Sequence, residues 1–370
     1  MEQKKRLALL CFMWDTQHAV LFCQSLCMSA FELRSSLPCD QSLWEATSAG
    51  QWQKLRQKQS QPPLLLTVLK SYLSHETHPA TRNLNGLSRV ILLHALLSIS
   101  WDMKRRDQTS LGLMGNDTIL GDWRQRMATA YDTWKADFDA YSAAMSVSLS
   151  VAPPSTSADQ HAQTRKEFAI FTTANTAIYH AAHVILYAEF LDLQIYAGAR
   201  HILGRPVSRA DYRRSQAVVK RWANDDSLSA AKAAWHAAHL IKDAATNLED
   251  FDTGGLFHYP WCLYLATVTC WSLYHARPVG AAEQHHDEDD EMIWDAKAEM
   301  NALIGSMTSV SPQQLAASLA SGGKRTRTAG LTAVVAKHLS KVRWAVVHDG
   351  MLVLRGLVPW RLINQDETLV

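Results

Sequence analysis

The densest reactive text in this chain is the run Asp287-Glu288-Asp289-Asp290-Glu291, preceded by His285-His286. Clustered carboxylates can hold Mg²⁺ against a diphosphate, the chemistry of a helical isoprenoid-type synthase. That reaction needs a second ligand set. The best second candidate, Asn224-Asp225-Asp226-Ser227, lacks the Glu that should follow Ser by a helical turn, because Ala230, Ala231 and Lys232 stand there. A solvated acidic loop is therefore the favoured reading, and the synthase the alternative.

Histidines supply the next candidates. His180 with His183, and His236 with His239, are two pairs at i, i+3, which places both imidazoles of a pair on one side of a helix. Such pairs can chelate a metal inside a bundle, but di-metal bundles add Glu-x-x-His motifs and bridging carboxylates. Glu189 and Glu249 lie at the wrong offsets, so the expectation is histidines hydrogen-bonded among packed helices, with no metal and no catalytic residue. The two pairs belong to an internal echo, Tyr179-His180-Ala181-Ala182-His183-Val184-Ile185 against Trp235-His236-Ala237-Ala238-His239-Leu240-Ile241. Two units fall short of the three a solenoid needs, so they read as similar Ala-rich packing helices.

The six cysteines, Cys11, Cys23, Cys27, Cys39, Cys262 and Cys270, form no close CxxC pair and read as small core residues of a reduced, intracellular protein. No zinc reader is encoded in this sequence. Cys23 and Cys27 have the first spacing of a paired-histidine finger, but His75 and His78 are too distant and too closely spaced to complete it. No Gly-rich phosphate loop, nucleophile elbow or metalloprotease signature appears. The cofactor expectation is none in this chain. Two short basic clusters, Lys104-Arg105-Arg106 and Lys324-Arg325-Thr326-Arg327, suit phosphate contacts or nuclear import, with a solvated helix end and a flexible loop as the plain alternatives.

The elements that must position these residues are helical. Thirteen Trp, abundant Ala and Leu, and few Gly and Pro for 370 residues disfavour a turn-rich β architecture, and 47% hydrophobic content can bury a real core. A net charge of +2 gives no global pull on a polyanion. Leu7 to Leu73 reads as several helices broken at Leu37-Pro38-Cys39 and Gln61-Pro62-Pro63. Helices follow over Leu84–Met103 and Trp123–Met145, a loop over Ser146–Asp159, then helices over Arg165–Leu203, Arg209–Trp222, Ser227–Leu248 and Tyr259–Tyr274. Met292–Ile304 and Pro312–Leu319 resume the pattern. Ser321–Thr328 reads as exposed, and Ala345–Val358 as a helix or a strand pair about Asp349-Gly350.

Three stretches invite a membrane or secretion test. MEQKKRLALLCFMWD has charges before an apolar run, but Asp15 interrupts it without a cleavage site. Ala169–Ala188 has no Asp, Glu, Lys or Arg, yet carries Thr172, Thr173, Asn175, Thr176, His180 and His183, and Leu256–Ala276 is broken by Pro260. Buried core helices are the expectation for the last two.

One stretch says more than the rest. In LNGLSRVILLHALLSISWDMKRRDQTSLG, Leu84–Gly112, the residues Leu87, Val90, His94, Leu97 and Trp101 line one helical face, and Lys104, Arg105 and Arg106 fall at the helix end, where cations oppose the macrodipole. This wording resembles the regulatory, or middle homology, region of fungal transcription factors, particularly those with a paired-cysteine, paired-histidine zinc finger. Phe12–Trp14 and Phe31–Trp52, with LPCDQSLWEATSAGQW at Leu37–Trp52, resemble the family's early segment. ILYAEFLDLQIYAGARHILGR at Ile185–Arg205 and LFHYPWCLYLATVTCW at Leu256–Trp271 resemble its later helices. The resemblance covers most of the chain in the family's order and weakens beyond about Pro278.

It implies an all-α, multi-helical orthogonal or bundle-like regulatory domain at 1–278, with loop 146–159 a possible internal division, and a helical extension at 279–370 with acidic and basic loops. It implies a nuclear transcriptional regulator, not an enzyme, acting by protein contacts. Zinc belongs only to a DNA-binding domain this sequence does not encode. The implied partners are other transcription regulators or a zinc-finger DNA-binding partner, with DNA reached indirectly, homo- or hetero-oligomers allowed and no membrane. A non-DNA-binding competitor of full-length relatives is a further alternative.

Overall fold

A computed structural model of the chain describes residues 2–74, 84–109, 123–151, 157–202, 204–225, 227–252, 256–277, 294–320, 327–360 and 362. Those residues are overwhelmingly helical, with 15 α-helices and one two-stranded hairpin, so the all-α expectation holds. They form two compact units, Met1–Glu167 and Phe168–Val370, and the division falls inside a helix.

Unit 1 contains α1 (Glu2–Leu21), α2 (Gln41–Trp44), α3 (Ala49–Lys58), α4 (Leu65–Ser74), α5 (Gly86–Thr109) and α6 (Trp123–Ser150). The helix expected at Leu84–Met103 is α5, the hub of the unit, packed against α1, α4 and α6. It is more central than a one-faced helix, since every residue from Ser88 to Ser98 is buried. Apolar side chains on all sides cover it all round. Asn85 starts it, accepting from Ser88 N at 2.8 Å while its own Nδ2 donates to Cys39 O at 3.0 Å and Pro38 O at 3.3 Å.

The two proline breaks of the first block are fastened to each other. Leu37 N donates to Pro63 O at 2.9 Å and Leu65 N to Ser35 O at 3.1 Å. Two cations of α1 cover neighbouring carbonyls: Lys5 Nζ donates to Leu37 O at 2.9 Å and Arg6 Nη2 to Cys39 O at 2.9 Å. Proline lacks an N–H and bars the preceding residue from helix, so these extended segments find partners in each other.

The seventh helix, α7 (Ala158–Tyr187), contains the division. Unit 2 continues with α8 (Phe190–Tyr196), the antiparallel pair β1 (His201–Ile202) and β2 (Arg205–Pro206), α9 (Arg209–Asn224), α10 (Ser229–Asn247) and α11 (His258–His275). It ends with α12 (Ala296–Thr308), α13 (Pro312–Ala320), α14 (Ala329–Leu339) and α15 (Ala345–Leu357). The hub here is α11, buried along nearly its whole length and packed on α8, α9, α10, α14 and α15. α12 closes on α14 so tightly that a Cβ at Gly330 would stand 2.4 Å from Ala296 O.

Several expected boundaries change. The single helix expected over Arg165–Leu203 begins at Ala158, stops at Tyr187 and is followed by α8 and the hairpin. Trp222 Nε1 donates to Tyr187 O at 2.6 Å, satisfying a terminal carbonyl, and Gly198 adopts φ +97°, a conformation open to glycine that ends α8. The Ser146–Asp159 loop is shorter than expected, because α6 runs to Ser150 and α7 starts at Ala158. Ala345–Val358 resolves into helix, with Gly350 set so near the Tyr264 ring that an added Cβ would stand 3.1 Å from it. The helix α14 has no counterpart in the sequence reading. Ser321–Thr326, and the 278/279 boundary with the acidic run after it, lie outside the described residues.

No helix among the described residues is long and apolar enough to cross a membrane. The two stretches tested for membrane insertion are largely buried in protein, and some of their polar groups find backbone partners: Asn175 Nδ2 donates to Phe171 O at 2.8 Å, and Thr267 and Thr269 hydroxyls donate to carbonyls one turn back.

Candidate functional site

The two histidine pairs meet. α7 carries His180 and His183, α10 carries His236 and His239, and the echo that supplies them also supplies Tyr179 and Trp235 beside them. The His183 and His236 rings stack with centroids 3.9 Å apart and planes within 4°. His180 Nδ1 lies 3.1 Å from His236 Nδ1, a hydrogen bond in which one ring donates and the other accepts. Tyr179 sets its ring edgewise to His180 and His183, each at 4.9 Å. His239 Nδ1 is 2.9 Å from Trp235 O, the carbonyl one turn back, and Trp235 Nε1 donates to Val310 O at 2.8 Å.

Burial sets the charge state. Removal from water pushes the His180 pKa down to about 4 and His236 well below the ordinary imidazole value; His239, less covered, moves the same way. Neighbouring imidazoles depress His180 further, while Asp243, with Oδ2 3.6 Å from His180 Nε2, pulls it back up. The hydrogen bond between His180 and His236 needs one unprotonated nitrogen to accept, and the lowered pKa of both rings is consistent with it. A base this weak is poorly matched to proton transfer near neutrality. Among the described residues, no three His, Cys, Asp or Glu side chains are arranged to hold a metal ion.

The carboxylate beside the cluster escaped the sequence reading, which weighed Glu189 and Glu249. Asp243 stands one turn after His239 and two turns after His236, on the same side of α10. That spacing was readable. The meeting of α7 with α10 was not, since period alone assigns no helix its neighbour.

Unit 1 has a polar centre of a different kind. Arg89 of α5 forms a close ion pair with Asp137 of α6, and Tyr72 of α4 donates to the same Asp137 Oδ2 at 2.7 Å. Trp134 Nε1 donates to Arg89 O at 2.8 Å, and the guanidinium lies 5.1 Å from the Tyr141 ring centroid. Three helices are thus tied at one carboxylate. Burial, then the Asp137 charge, raises the Tyr72 phenol far above its ordinary value.

The basic clusters separate. Lys104 is 3% exposed and belongs to the interior, which leaves Arg105 and Arg106 as the exposed members, Arg105 lying over the Trp101 ring at 6.0 Å. Arg327 is exposed just before α14, and Lys324 and Arg325 lie outside the described residues. In the second metal-ligand candidate, Asn224 donates to Lys220 O at 2.7 Å and Asp225 accepts from Ser227 Oγ at 2.5 Å. The cysteines depart from expectation: only Cys262 and Cys270 are buried, Cys11 and Cys27 are exposed, and none is in a disulfide. Cys11 lies on the open side of α1 beside Leu7, Leu10 and Trp14, where apolar residue type is a poor guide to burial.

The chain matches, over residues 1–136, the fungal specific transcription factor domain, the family whose regulatory region the Leu84–Gly112 wording resembles. It is 44% identical over 356 residues, 96% of its length, to the nicotinate catabolism cluster-specific transcription factor of Emericella nidulans. It is 27% identical over 96% of its length to zinc finger protein klf1, and 21% identical over 82% to zinc finger protein zas1, both of Schizosaccharomyces pombe. These alignments span 38%, 42% and 31% of the three relatives, so the chain covers less than half of each. No solved structure matches it.

Proposed function

We propose that this chain is the regulatory portion of a transcriptional regulator, working in the nucleus through helix-surface contacts with other proteins and not as an enzyme. The observation that carries this reading is the 44% identity along 96% of the chain to a cluster-specific transcription factor, with the family domain over residues 1–136. The histidine cluster supports it from the side of chemistry, because buried neutral imidazoles serve packing better than proton transfer. Sequence-specific DNA reading, with its zinc, belongs to residues outside this sequence or to a zinc-finger partner. Control of nicotinate catabolism genes is the specific form of the reading, and it rests on that one relative. The exposed Arg105 and Arg106, with Lys324, Arg325 and Arg327, are the candidates for nuclear import.

The test fuses the full chain to an unrelated DNA-binding domain and measures a reporter carrying that domain's site in a fungal host. A change in reporter output of several-fold, in either direction, is expected. Output equal to that of the DNA-binding domain alone, with the fusion present at the same level, would sink the proposal.

A further inference from the structure

Among the described residues, the strongest charge feature lies away from both polar centres and both short basic clusters. Between Arg200 and Asn224 the chain carries Arg200, Arg205, Arg209, Arg213, Arg214, Lys220 and Arg221 against Asp211 alone: seven cations less one anion, a net +6 in a chain whose total is +2. A search for consecutive basic residues passes over it, because the cations are spread by helical spacing. All seven are exposed.

Helix geometry gathers them. α9 buries Ser215, Val219 and Ala223, a single row at i, i+4, i+8. On the opposite side, Arg209, Arg213 and Lys220 form one row and Arg214 and Arg221 a second, within an arc of about 140° at roughly 100° per residue. Between the rows stand only Ala210, Ala217 and Asn224. Arg205 and Arg214 share Asp211, at 2.9 and 3.9 Å. Arg200, Arg209, Arg213, Lys220 and Arg221 have no ion pair among the described residues. The helix is held firmly from behind: Ser208 caps it, Ser215 Oγ donates to Asp192 at 2.6 Å, Trp222 Nε1 to Tyr187 O, and Arg277 Nη1 to Ala223 O at 2.8 Å.

We propose that the exposed face of α9, with the hairpin before it, docks on the phosphate backbone of duplex DNA without reading bases. The inference goes beyond the regulatory reading, which reaches DNA only through a partner, and it stands on charge and geometry alone. A 16-residue helix is about 24 Å long, a length over which duplex DNA presents about 14 phosphates at one per 1.7 Å. Six of the seven cations are arginine, whose planar fork matches phosphate oxygens in pairs. An acidic peptide would also fit the charge, but peptide grooves add apolar anchors. On α9 the one exposed large apolar side chain among the described residues is Tyr212. A linear, rigid, arginine-rich face without anchor pockets suits a uniform polyanion.

The test measures binding of the purified full chain to a short mixed-sequence duplex by fluorescence anisotropy across a salt series. The variant R209Q/R213Q/K220Q/R221Q is expected to bind at least about tenfold more weakly, with the slope of log affinity against log salt shallower by about 3 to 4. The charge-matched control K54Q/R56Q/K58Q/K70Q, which removes exposed cations of α3 and α4, should change affinity less than about twofold. Single variants R213Q and R221Q, each expected to reduce the slope by about one, carry the test if the fourfold variant loses its helical circular dichroism. Equal weakening by both fourfold variants overturns the proposal. So does a native chain that leaves the duplex unbound, or one that binds polyglutamate as tightly as duplex DNA.

Discussion

The two units bury polar side chains at the meeting of helices by opposite means. In unit 1 Arg89, 2% exposed, keeps its charge and is clamped to Asp137, with Tyr72 and the Tyr141 ring completing its surroundings. In unit 2 His180 and His236 give up charge and hydrogen-bond to each other, with the His236 ring stacked on His183. The first arrangement trades desolvation against strong pairing and fails badly when one partner is removed. The second carries no buried charge to orphan, but solvent can undo it by supplying a proton to the unfolded chain. The clamp is therefore sensitive to mutation and the cluster to acid.

Asp137→Asn gives the largest expected effect. It leaves the Arg89 guanidinium buried without its counter-charge, and the expected cost is about 3 kcal/mol or more, read as a lower denaturation midpoint and as faster hydrogen exchange in α5 and α6 peptides. A loss below about 0.5 kcal/mol, the size of an exposed pair, would mean the clamp is incidental.

Acidification comes next and should act on unit 2. The His180 pKa of about 4 lies below the imidazole value of 6.5, so between those limits the unfolded chain binds a proton that the folded chain refuses. Stability is full above about pH 6.5 and falls as pH drops toward 4. His236 and His239 shift in the same direction and add to the loss. Hydrogen exchange followed from pH 7.5 to 4.5, corrected for intrinsic rates, should show α7 and α10 losing protection before α5. Loss in α5 first would reverse the assignment of the two behaviours.

What could be read in advance follows the same division. Local signals were sufficient for several helices: α9 and α11 lie within two residues of expectation, and α5 starts within two but runs six residues further, because apolar periodicity and caps are properties of short windows. α14 escaped because Ala329–Leu339 follows a Gly- and Arg-rich stretch that drew attention to itself, and its close seat on α12 depends on Gly330, whose role is visible only in three dimensions. The histidines were identified as two pairs on two helices, and their hydrogen-bonded state was expected. The stack of His183 on His236, and Arg89 reaching Asp137 across 48 residues, depend on helix-to-helix pairing that no period encodes. Lys104 makes the same point in reverse: residue type and its place at a helix end suggest a solvated side chain, yet it is buried.

The smallest effect sharpens the contrast, because it repeats the first substitution at the other centre. Asp243→Asn removes a carboxylate 3.6 Å from His180, but Asp243 is 36% exposed and its partner is neutral near pH 7. No charge is left stranded, so the expected change at pH 7.5 is within about 0.5 kcal/mol. The sign appears only on acidification. Asp243 raises the His180 pKa toward its ordinary value, and without it the folded-state pKa falls further from 6.5 and widens the window over which protons favour the unfolded chain. The variant should therefore match the native chain at pH 7.5 and be the less stable of the two near pH 4.5, as measured by thermal midpoint. Equal midpoints at the lower pH would show that Asp243 is too well solvated to reach His180, leaving burial and the neighbouring rings as the whole cause of its depressed pKa.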